Sequence, residues 1–339
     1  MPVGIAWNVG FSGIGQTLGD PPLYGSLGLD ADAGPDSVTV RWGSALFGQP
    51  GTATYAPQPD GSFNLPGPGE SHTYADGSYV LKAIGHFGAT DQVVKLTAWF
   101  DVNDSLGQNH AGTGHADLLS GGSGADTLQG GSGNDWVFGG LGADLLQGGS
   151  GNDFLGGGGD DSADTLSGDA GSDLLAGDGG DDLLLGGSGT DFIYGGDGND
   201  TLDGGTEGDY LDGESGNDLL TGGTGSDTLH GGAGADTLDG GRDGESDLFS
   251  YASPAEGGDV IRHFEAGVDK IQLDFIVGGT IDASHFVAKP SEMTDGGAYI
   301  LYAKGVLSVD LDGTGAAAAQ VIATLEGKPA LTFDDFLFG

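Results

Sequence analysis

The middle of the chain repeats one pattern of glycine, aspartate and apolar residues every nine positions. A Gly opens each unit, from Gly112 to Gly157 and, after a step of eleven, from Gly168 to Gly240, which gives fifteen units. Asp stands at the sixth place of each regular unit, and Asp164 and Asp247 keep that role in two lengthened units. An apolar residue follows two positions after each Asp: Leu119, Leu128, Val137, Leu146, Leu155, Leu166, Leu175, Leu184, Ile193, Leu202, Leu211, Leu220, Leu229, Leu238 and Phe249.

This periodicity predicts a solenoid of short parallel strands. Six Gly-rich residues favour a turn, because Gly adopts positive φ at no steric cost. The next three residues form a short strand whose middle side chain points inward. Two units then make one coil of 18 residues, and successive coils stack at about 4.8 Å, the strand spacing of a sheet. The inward residues form two facing columns, one of Leu119, Val137 and Leu155 and the other of Leu128, Leu146 and Leu166. Each unit is then stable only against its neighbours.

The charge of the repeats indicates that a cation is needed. Residues 112–249 contain 28 acidic side chains and one basic side chain, Arg242. Stacking would place Asp126 beside Asp144, and Asp144 beside Asp164. Two like charges about 5 Å apart repel by roughly 0.8 kcal/mol even at the dielectric constant of water. We therefore expect the segment to be expanded when no cation is bound.

A cation between turns n and n+2 would receive one carboxylate from each turn together with carbonyl oxygens of the Gly loops. Such an all-oxygen ligand set suits Ca²⁺ better than Mg²⁺, which prefers a tight octahedron and keeps its waters. Fifteen units allow up to about 13 such sites, and thirteen Ca²⁺ would nearly balance the acidic charge of the segment. The predicted metal ligands are Asp117, Asp126, Asp135, Asp144, Asp153, Asp164, Asp173, Asp182, Asp191, Asp200, Asp209, Asp218, Asp227, Asp236 and Asp247.

Two alternatives accompany this interpretation. A flexible Gly- and Asp-rich linker would have the same composition, but it has no reason to keep an apolar residue two places after each Asp. His115 and His230 could be metal ligands, or they could be exposed histidines of a turn and a strand.

The unit Gly-Gly-x-Gly-x-Asp-x-apolar-x, as in residues 130–138, resembles the calcium-binding repeat of the RTX, or haemolysin-type, family. The resemblance covers residues 112–249. It implies a parallel β-roll that binds Ca²⁺ in a protein exported by a type I secretion apparatus.

Residues 1–111 lack the repeat and predict a separate β domain. Apolar positions alternate in 38–43, in 79–84 and from Val94 to Val102. The runs His72–Tyr79 and Val38–Gly43 resemble a PKD-type, immunoglobulin-like β-sandwich, although the usual acidic run after Trp-Gly is absent, since Ser44 and Ala45 follow Gly43. This domain could be a spacer, or a module that contacts a surface glycan or a protein.

Residues 250–339 resemble the module that closes the roll in serralysin-type C-terminal domains. Physically, the last coil exposes apolar side chains and backbone edges that must be covered. Asp259 and Asp269 could bind one further Ca²⁺ or be turn residues, and strands are expected at 298–303 and 306–311. The final acidic and apolar residues Asp334, Asp335, Phe336, Leu337 and Phe338 resemble an uncleaved type I secretion signal, or they form an ordinary last strand.

Composition excludes several classes of function. Asp and Glu number 51 against 9 Lys and Arg, a net charge of −42, which disfavours a nucleic-acid partner because phosphate binding needs a basic surface. The absence of Cys excludes disulfides and thiolate metal sites. No apolar run is long enough for a transmembrane segment, and no basic residue precedes Arg41, which argues against an N-terminal secretion signal. The sequence contains neither the His-Glu-x-x-His motif of zinc proteases nor the Gly-x-Ser-x-Gly motif of lipases.

Together these features predict an all-β fold with three parts: an immunoglobulin-like β-sandwich at 1–111, an RTX β-roll at 112–249 and a β capping module at 250–339. The leading function is a non-enzymatic, secreted Ca²⁺-binding protein, extracellular or on the cell surface, with a structural, adhesive or matrix role. The alternative is a polysaccharide-acting enzyme, or its auxiliary part, with a site in 1–111. A membrane-active protein is disfavoured, because no long apolar or amphipathic helix is predicted.

Overall fold

A computed structural model gives the three-dimensional structure of the chain. It describes residues 37–42, 51–55, 77–87, 90–100, 107, 109–276, 281–289, 292–293, 297–312 and 319–339, and side chains are described from residue 107 onward. Within these residues the fold is all-β, as predicted, with short 3₁₀ turns at Pro254–Glu256, Ala283–His285 and Phe333–Asp335. None of the helical segments in the described ranges has the length and apolar character needed to cross a membrane.

The strands fall into three groups along the chain. The first is β1 (Ser37–Trp42), β2 (Gly51–Tyr55), β3 (Gly77–Phe87) and β4 (Thr90–Phe100). The second is β5 (Asn109–Ala111), β6 (Asp117–Gly122), β7 (Thr127–Ser132), β8 (Trp136–Gly140), β9 (Leu145–Ser150), β10 (Phe154–Gly158), β11 (Thr165–Ala170), β12 (Leu174–Gly179), β13 (Leu183–Ser188), β14 (Phe192–Asp197), β15 (Thr201–Thr206), β16 (Tyr210–Ser215), β17 (Leu219–Thr224), β18 (Thr228–His230), β19 (Thr237–Gly241) and β20 (Leu248–Tyr251). The third is β21 (Asp259–Arg262), β22 (Lys270–Leu273), β23 (Phe286–Val287), β24 (Tyr299–Ala303), β25 (Val306–Asp310), β26 (Gln320–Leu325) and β27 (Phe336–Phe338).

Alternate strands of the repeats build two parallel sheets. The first sheet contains β6 and every second strand to β22, and the second sheet contains β5 and every second strand to β21. Regular units pair with a shift of 18 residues, as in Leu175 with Ile193 and Leu184 with Leu202. This is the predicted coil of two units.

The lengthened unit at Gly157 does not disturb this register. Leu166 pairs with Leu146, a shift of 20 residues, and the following strand resumes the regular pairing. The two additional residues are therefore accommodated in the turn before Asp164, and both sheets continue through it.

The core of the roll consists of two columns of side chains that are fully buried between the sheets. The column of the first sheet continues from Leu155 through Leu175, and that of the second from Leu166 through Leu184, all at 0% exposure. The columns and the inward direction of these side chains are as predicted. Both columns continue beyond the repeats, to Ile271 in the first sheet and Ile261 in the second.

The third group of strands covers the last coil. β26 pairs with β21 and β27 pairs with β22, both in parallel, so one strand extends each sheet. β24, β25 and β26 form an antiparallel unit beside them, and β24 and β25 are the strands expected at 298–303 and 306–311.

The four strands between residues 37 and 100 form one antiparallel sheet in the order β2-β1-β3-β4. β4 also pairs in parallel with β6, so this sheet is continuous with the first sheet of the roll. The strands expected near 38–43, 79–84 and 94–102 are present as β1, β3 and β4. A β-sandwich would need further strands from outside the described residues, and it stays a prediction.

Candidate metal centre

The repeat aspartates stack in two ladders, one along each edge of the roll. The backbone N–H of each Asp donates to Oδ1 of the Asp one coil later, as in Asp182 to Asp200 and Asp191 to Asp209, both at 2.8 Å. The same bond links Asp126 to Asp144 and Asp144 to Asp164. These are the neighbours that the sequence predicted. All fifteen predicted residues belong to these ladders.

The other carboxylate oxygen of most of these residues is buried and receives no hydrogen bond from any described group. The aspartates are at most 4% exposed, so water does not compensate for the missing donors. A buried polar atom with no partner costs free energy. The oxygen concerned is Oδ2 in Asp135, Asp144, Asp153, Asp164, Asp173, Asp182, Asp191, Asp200, Asp209, Asp218, Asp227 and Asp236, and Oδ1 in Asp117.

A second oxygen approaches the same space at most of the turns. A Cβ added to Gly186 would collide both with Oδ2 of Asp191 and with the carbonyl oxygen of Gly204, one coil later. The same pair of oxygens surrounds Gly168 and Gly195. Glycine at the first place of the unit therefore leaves room for the carboxylate oxygen and the carbonyl oxygen to approach each other.

Burial raises the pKa of these carboxyls. The pKa of Asp182 and of Asp209 rises to about 7, first through loss of hydration and then through repulsion from neighbouring carboxylates, against the opposing effect of the inter-coil hydrogen bond. The pKa of Asp191 rises to about 6, also chiefly through burial. A cation beside the carboxylates would favour their charged form and counteract these shifts. Other repeat aspartates shift in the same direction: Asp135, Asp144, Asp153, Asp164, Asp173, Asp200, Asp218, Asp227, Asp236 and Asp247.

The oxygen donors fit a hard cation. Among the described residues, no three His, Cys, Asp or Glu side chains come together as a metal-binding group. A cation at a turn would therefore be held by few carboxylates and by main-chain carbonyl oxygens. Such oxygen-only coordination is what Ca²⁺ accepts in proteins. The unpartnered Oδ2 atoms and the space beside each first glycine meet that requirement.

The two histidines are not part of the ladders. His230 lies in β18 on the outer face of the first sheet, where its Nε2 is 3.2 Å from Oε2 of Glu256. His115 is exposed in the first turn of the repeats. Their placement agrees with the alternative that they are turn and strand residues.

The ladders extend into the C-terminal part, which sequence reasoning did not predict. The backbone N–H of Asp236 donates to Oδ1 of Asp259 at 2.9 Å, and the backbone N–H of Asp247 donates to Oδ1 of Asp269 at 3.1 Å. The carboxylate of Asp259 is buried beside the Tyr251 hydroxyl, whereas Oδ2 of Asp269 accepts the N–H of Glu265 at 2.7 Å. Asp259 thus resembles the repeat aspartates, and Asp269 also has the role of a turn residue. The sequence singled out both residues as a further Ca²⁺ site or as turn residues, but their spacings of 23 and 22 residues did not indicate that they continue the ladders.

Sequence comparison identifies the repeats. The model of the RTX calcium-binding nonapeptide repeat matches residues 112–146, 129–162, 158–193, 177–211, 185–220 and 212–244. The chain therefore carries RTX calcium-binding repeats, as the sequence pattern predicted. No curated protein is significantly similar to the chain.

Among solved structures, the chain is similar to the AlgE6R3 subunit of the mannuronan C5-epimerase from Azotobacter vinelandii, determined in solution. The two are 26% identical over 47% of this chain and 80% of the other, with a TM-score of 0.21.

Proposed function

We propose that the chain is a secreted protein whose roll folds when its ladder aspartates bind several Ca²⁺ ions outside the cell, and that it has a structural, adhesive or matrix role. The observation that supports this best is the buried carboxylate oxygen without a donor that recurs from turn to turn. The family of the repeats adds the identity of the ion, because the matching model describes calcium-binding repeats.

The proposed ligands are the fifteen repeat aspartates, together with Asp259, whose buried carboxylate continues the ladder after Asp236. Bound Ca²⁺ would supply the positive charge that these carboxylates lack, because the repeats contain a single Arg and no Lys. The roll cannot satisfy those oxygens with its own donors, so the free energy of ion binding becomes free energy of folding.

Export through a type I apparatus follows from the same electrostatics. Where Ca²⁺ is scarce, repulsion within the ladders keeps the chain open, as such a channel requires. Outside the cell, Ca²⁺ at the millimolar level that extracellular modules use would allow the coils to close. We place the export signal in Asp334, Asp335, Phe336, Leu337 and Phe338, the last three of which form β27.

A calorimetric titration of the intact chain with Ca²⁺, and with Mg²⁺ as control, tests the proposal. We expect about 13 Ca²⁺ per chain from the stacking of the units, and little heat with Mg²⁺, which keeps its waters. Binding of only one or two Ca²⁺, or equal binding of Mg²⁺, would contradict the assignment of the ladders as the metal sites.

A further inference from the structure

Every aromatic residue of the repeat units before Phe249 lies on one outer face of the roll. The nine-residue unit gives both sheets the same two outward positions, directly after the Asp and two places later, so the repeat does not explain this asymmetry. On the second sheet these positions hold Thr, Gln, Ser, Leu and Asp. On the first sheet they hold Trp136, Phe138, Phe154, Phe192, Tyr194 and Tyr210, which we call the aromatic face.

The rings of the aromatic face form two clusters. In the first, the ring of Phe154 lies 5.7 Å from that of Trp136 and 5.3 Å from that of Phe138, between centroids. In the second, the ring of Tyr210 lies 6.1 Å from that of Phe192 and 5.8 Å from that of Tyr194. Trp136 is 45% exposed and Phe192 48%, so one large ring in each cluster is open to solvent.

Small residues separate the two clusters in one row of the aromatic face. In one row across the strands, Gly156 and Ala176 lie between Phe138 and Tyr194. Three strand steps separate the flanking rings, which is about 14 Å at the spacing of a sheet. In the neighbouring row, which holds the residues directly after each Asp, Leu174 lies between Phe154 and Phe192 and connects the two clusters. The face is therefore an apolar track with an aromatic cluster at each end.

Polar groups continue the track beyond the second cluster. The Tyr210 hydroxyl donates to Oδ2 of Asp212 at 3.1 Å. Nδ1 of His230, on the next strand of the sheet, lies 3.7 Å from the same oxygen, and Glu256 is hydrogen-bonded to the other ring nitrogen. This end of the track supplies carboxylates that accept hydrogen bonds.

Charge narrows the choice of partner. Thirteen bound Ca²⁺ would reduce the chain's net charge of −42 to −16, so the folded chain would still be acidic. An ionised carboxylate beside the track accepts hydrogen bonds and cannot donate them. A polyanion would be repelled, and a second copy of the chain would bring two acidic surfaces together. A neutral sugar offers hydroxyl donors at its edge and an apolar C–H face to aromatic rings. Large exposed apolar patches mark interaction sites in soluble proteins.

We propose that the aromatic face binds a neutral, extended polysaccharide of β-1,4-linked hexopyranose units, with sugar rings stacked on Trp136 and Phe192. A flat ribbon suits this face, since its aromatic rows run straight across the strands. The proposal deepens the adhesive role proposed above and depends on it only in requiring a folded roll.

Calorimetric titration of the intact chain in Ca²⁺ with cellohexaose and mannohexaose tests the proposal. At least one of them binds the unaltered chain. Each of Trp136→Ala and Phe192→Ala weakens binding about three- to tenfold, the range for a single aromatic contact. Leu145→Ala and Leu183→Ala are matched controls, because these side chains are similarly exposed, at 46% and 36%, on the second sheet. They leave binding unchanged.

A circular dichroism spectrum of each sample separates the two proposals. A roll that does not fold in Ca²⁺ contradicts the proposed function, whereas a folded roll that binds neither hexasaccharide overturns the aromatic face as a glycan site. The glycan site is also overturned if Leu145→Ala weakens binding as much as Trp136→Ala does. It is likewise overturned if the anionic hexagalacturonate binds more tightly than the neutral hexasaccharides. Sedimentation that shows a dimer dissociated by Trp136→Ala would assign the face to self-association instead.

Discussion

At the scale of single residues, most of the repeat aspartates have two carboxylate oxygens with different roles. Oδ1 accepts a backbone N–H from the preceding coil, as Asp191 does from Asp173 at 2.8 Å, whereas Oδ2 has no donor among the described residues. The first is a structural bond that any coil-forming Asp could make. The second is a cost that only a proton or a cation removes. The sequence predicted that the carboxylates stack, but the inter-coil hydrogen bond depends on backbone direction and could not be predicted from spacing.

Asp191→Asn separates these two roles. The side-chain amide of Asn keeps the acceptor oxygen Oδ1. Its NH₂ group replaces Oδ2, so a donor would stand near the Gly204 carbonyl oxygen in place of a second acceptor. We expect the Ca²⁺-free roll to become more folded, and the number of bound Ca²⁺ and their cooperativity to fall, as measured by circular dichroism in EDTA and by calorimetry. Asp117→Asn is the control at the edge of the array, where Thr113 already donates to the carboxylate. Equal losses of Ca²⁺ in the two variants would contradict the stacked sites.

The raised pKa values predict that acid partly replaces Ca²⁺. Carboxyls such as Asp182 and Asp218 have a pKa of about 7 when folded, against 3.8 in the unfolded chain. Between these values the folded roll binds more protons than the unfolded chain, so its stability rises as pH falls from about 7 to 4. In EDTA, β structure measured by circular dichroism is therefore expected to increase from pH 8 to pH 5.

The opposite dependence is expected for ion binding. Protons compete with Ca²⁺ for the same oxygens, so the apparent Ca²⁺ affinity falls over the same range. A Ca²⁺-free chain that loses β structure on acidification from pH 8 to pH 5 would show that the buried carboxylates do not control folding.

At the scale of the strand, one buried side chain for every nine residues holds each coil. The nine-residue period predicted the strands, the shift of 18 and the two columns, because all three follow from which side chain points inward. The lengthened unit at Gly157 keeps its register by extending a turn, where Asp160 contributes a weak bond to the Gly142 N–H at 3.2 Å. Spacing alone could not predict this turn contact. The aromatic residues, however, all stand in alternate units, so their confinement to one sheet follows from the sequence once two units are known to make one coil.

Leu184→Ala and Leu183→Ala test the division between inward and outward positions. Leu184 is fully buried and Leu183 is 36% exposed on the adjacent position of β13. In saturating Ca²⁺ we expect Leu184→Ala to lower the free energy of unfolding by about 2–5 kcal/mol, as for a buried leucine. Leu183→Ala should change it by about 0.5 kcal/mol or less, as for a surface site. Similar losses in denaturant unfolding would contradict the assigned faces.

At the scale of the whole molecule, the two sheets continue past the repeats at both ends. β4 extends the first sheet before the roll, and β27 and β26 extend the two sheets after it. The need to cover the last coil was predicted from its exposed edges. The particular strands were not, because Phe336 is far from its partner Ile271 in sequence, and such pairings leave no local period.

Export is expected to depend on the C-terminal tail. Deletion of residues 330–339 should abolish appearance of the protein in the medium in a host with a type I apparatus. Because the deletion also removes β27 from β22, Ile271→Ala is a suitable control, since it weakens the same contact and keeps the tail. Normal export of the deletion would contradict the signal, and equal loss in both variants would show that the tail acts through folding.

The account rests on folding of the roll by Ca²⁺. The most direct measurement is far-ultraviolet circular dichroism of the intact chain at pH 8, first in EDTA and then in millimolar Ca²⁺, with Mg²⁺ as the control. Because the ladder carboxylates are ionised at this pH and have no other cation partner in the repeats, we predict a large gain of β structure with Ca²⁺ and little with Mg²⁺. The same β spectrum in EDTA as in Ca²⁺ would contradict the account.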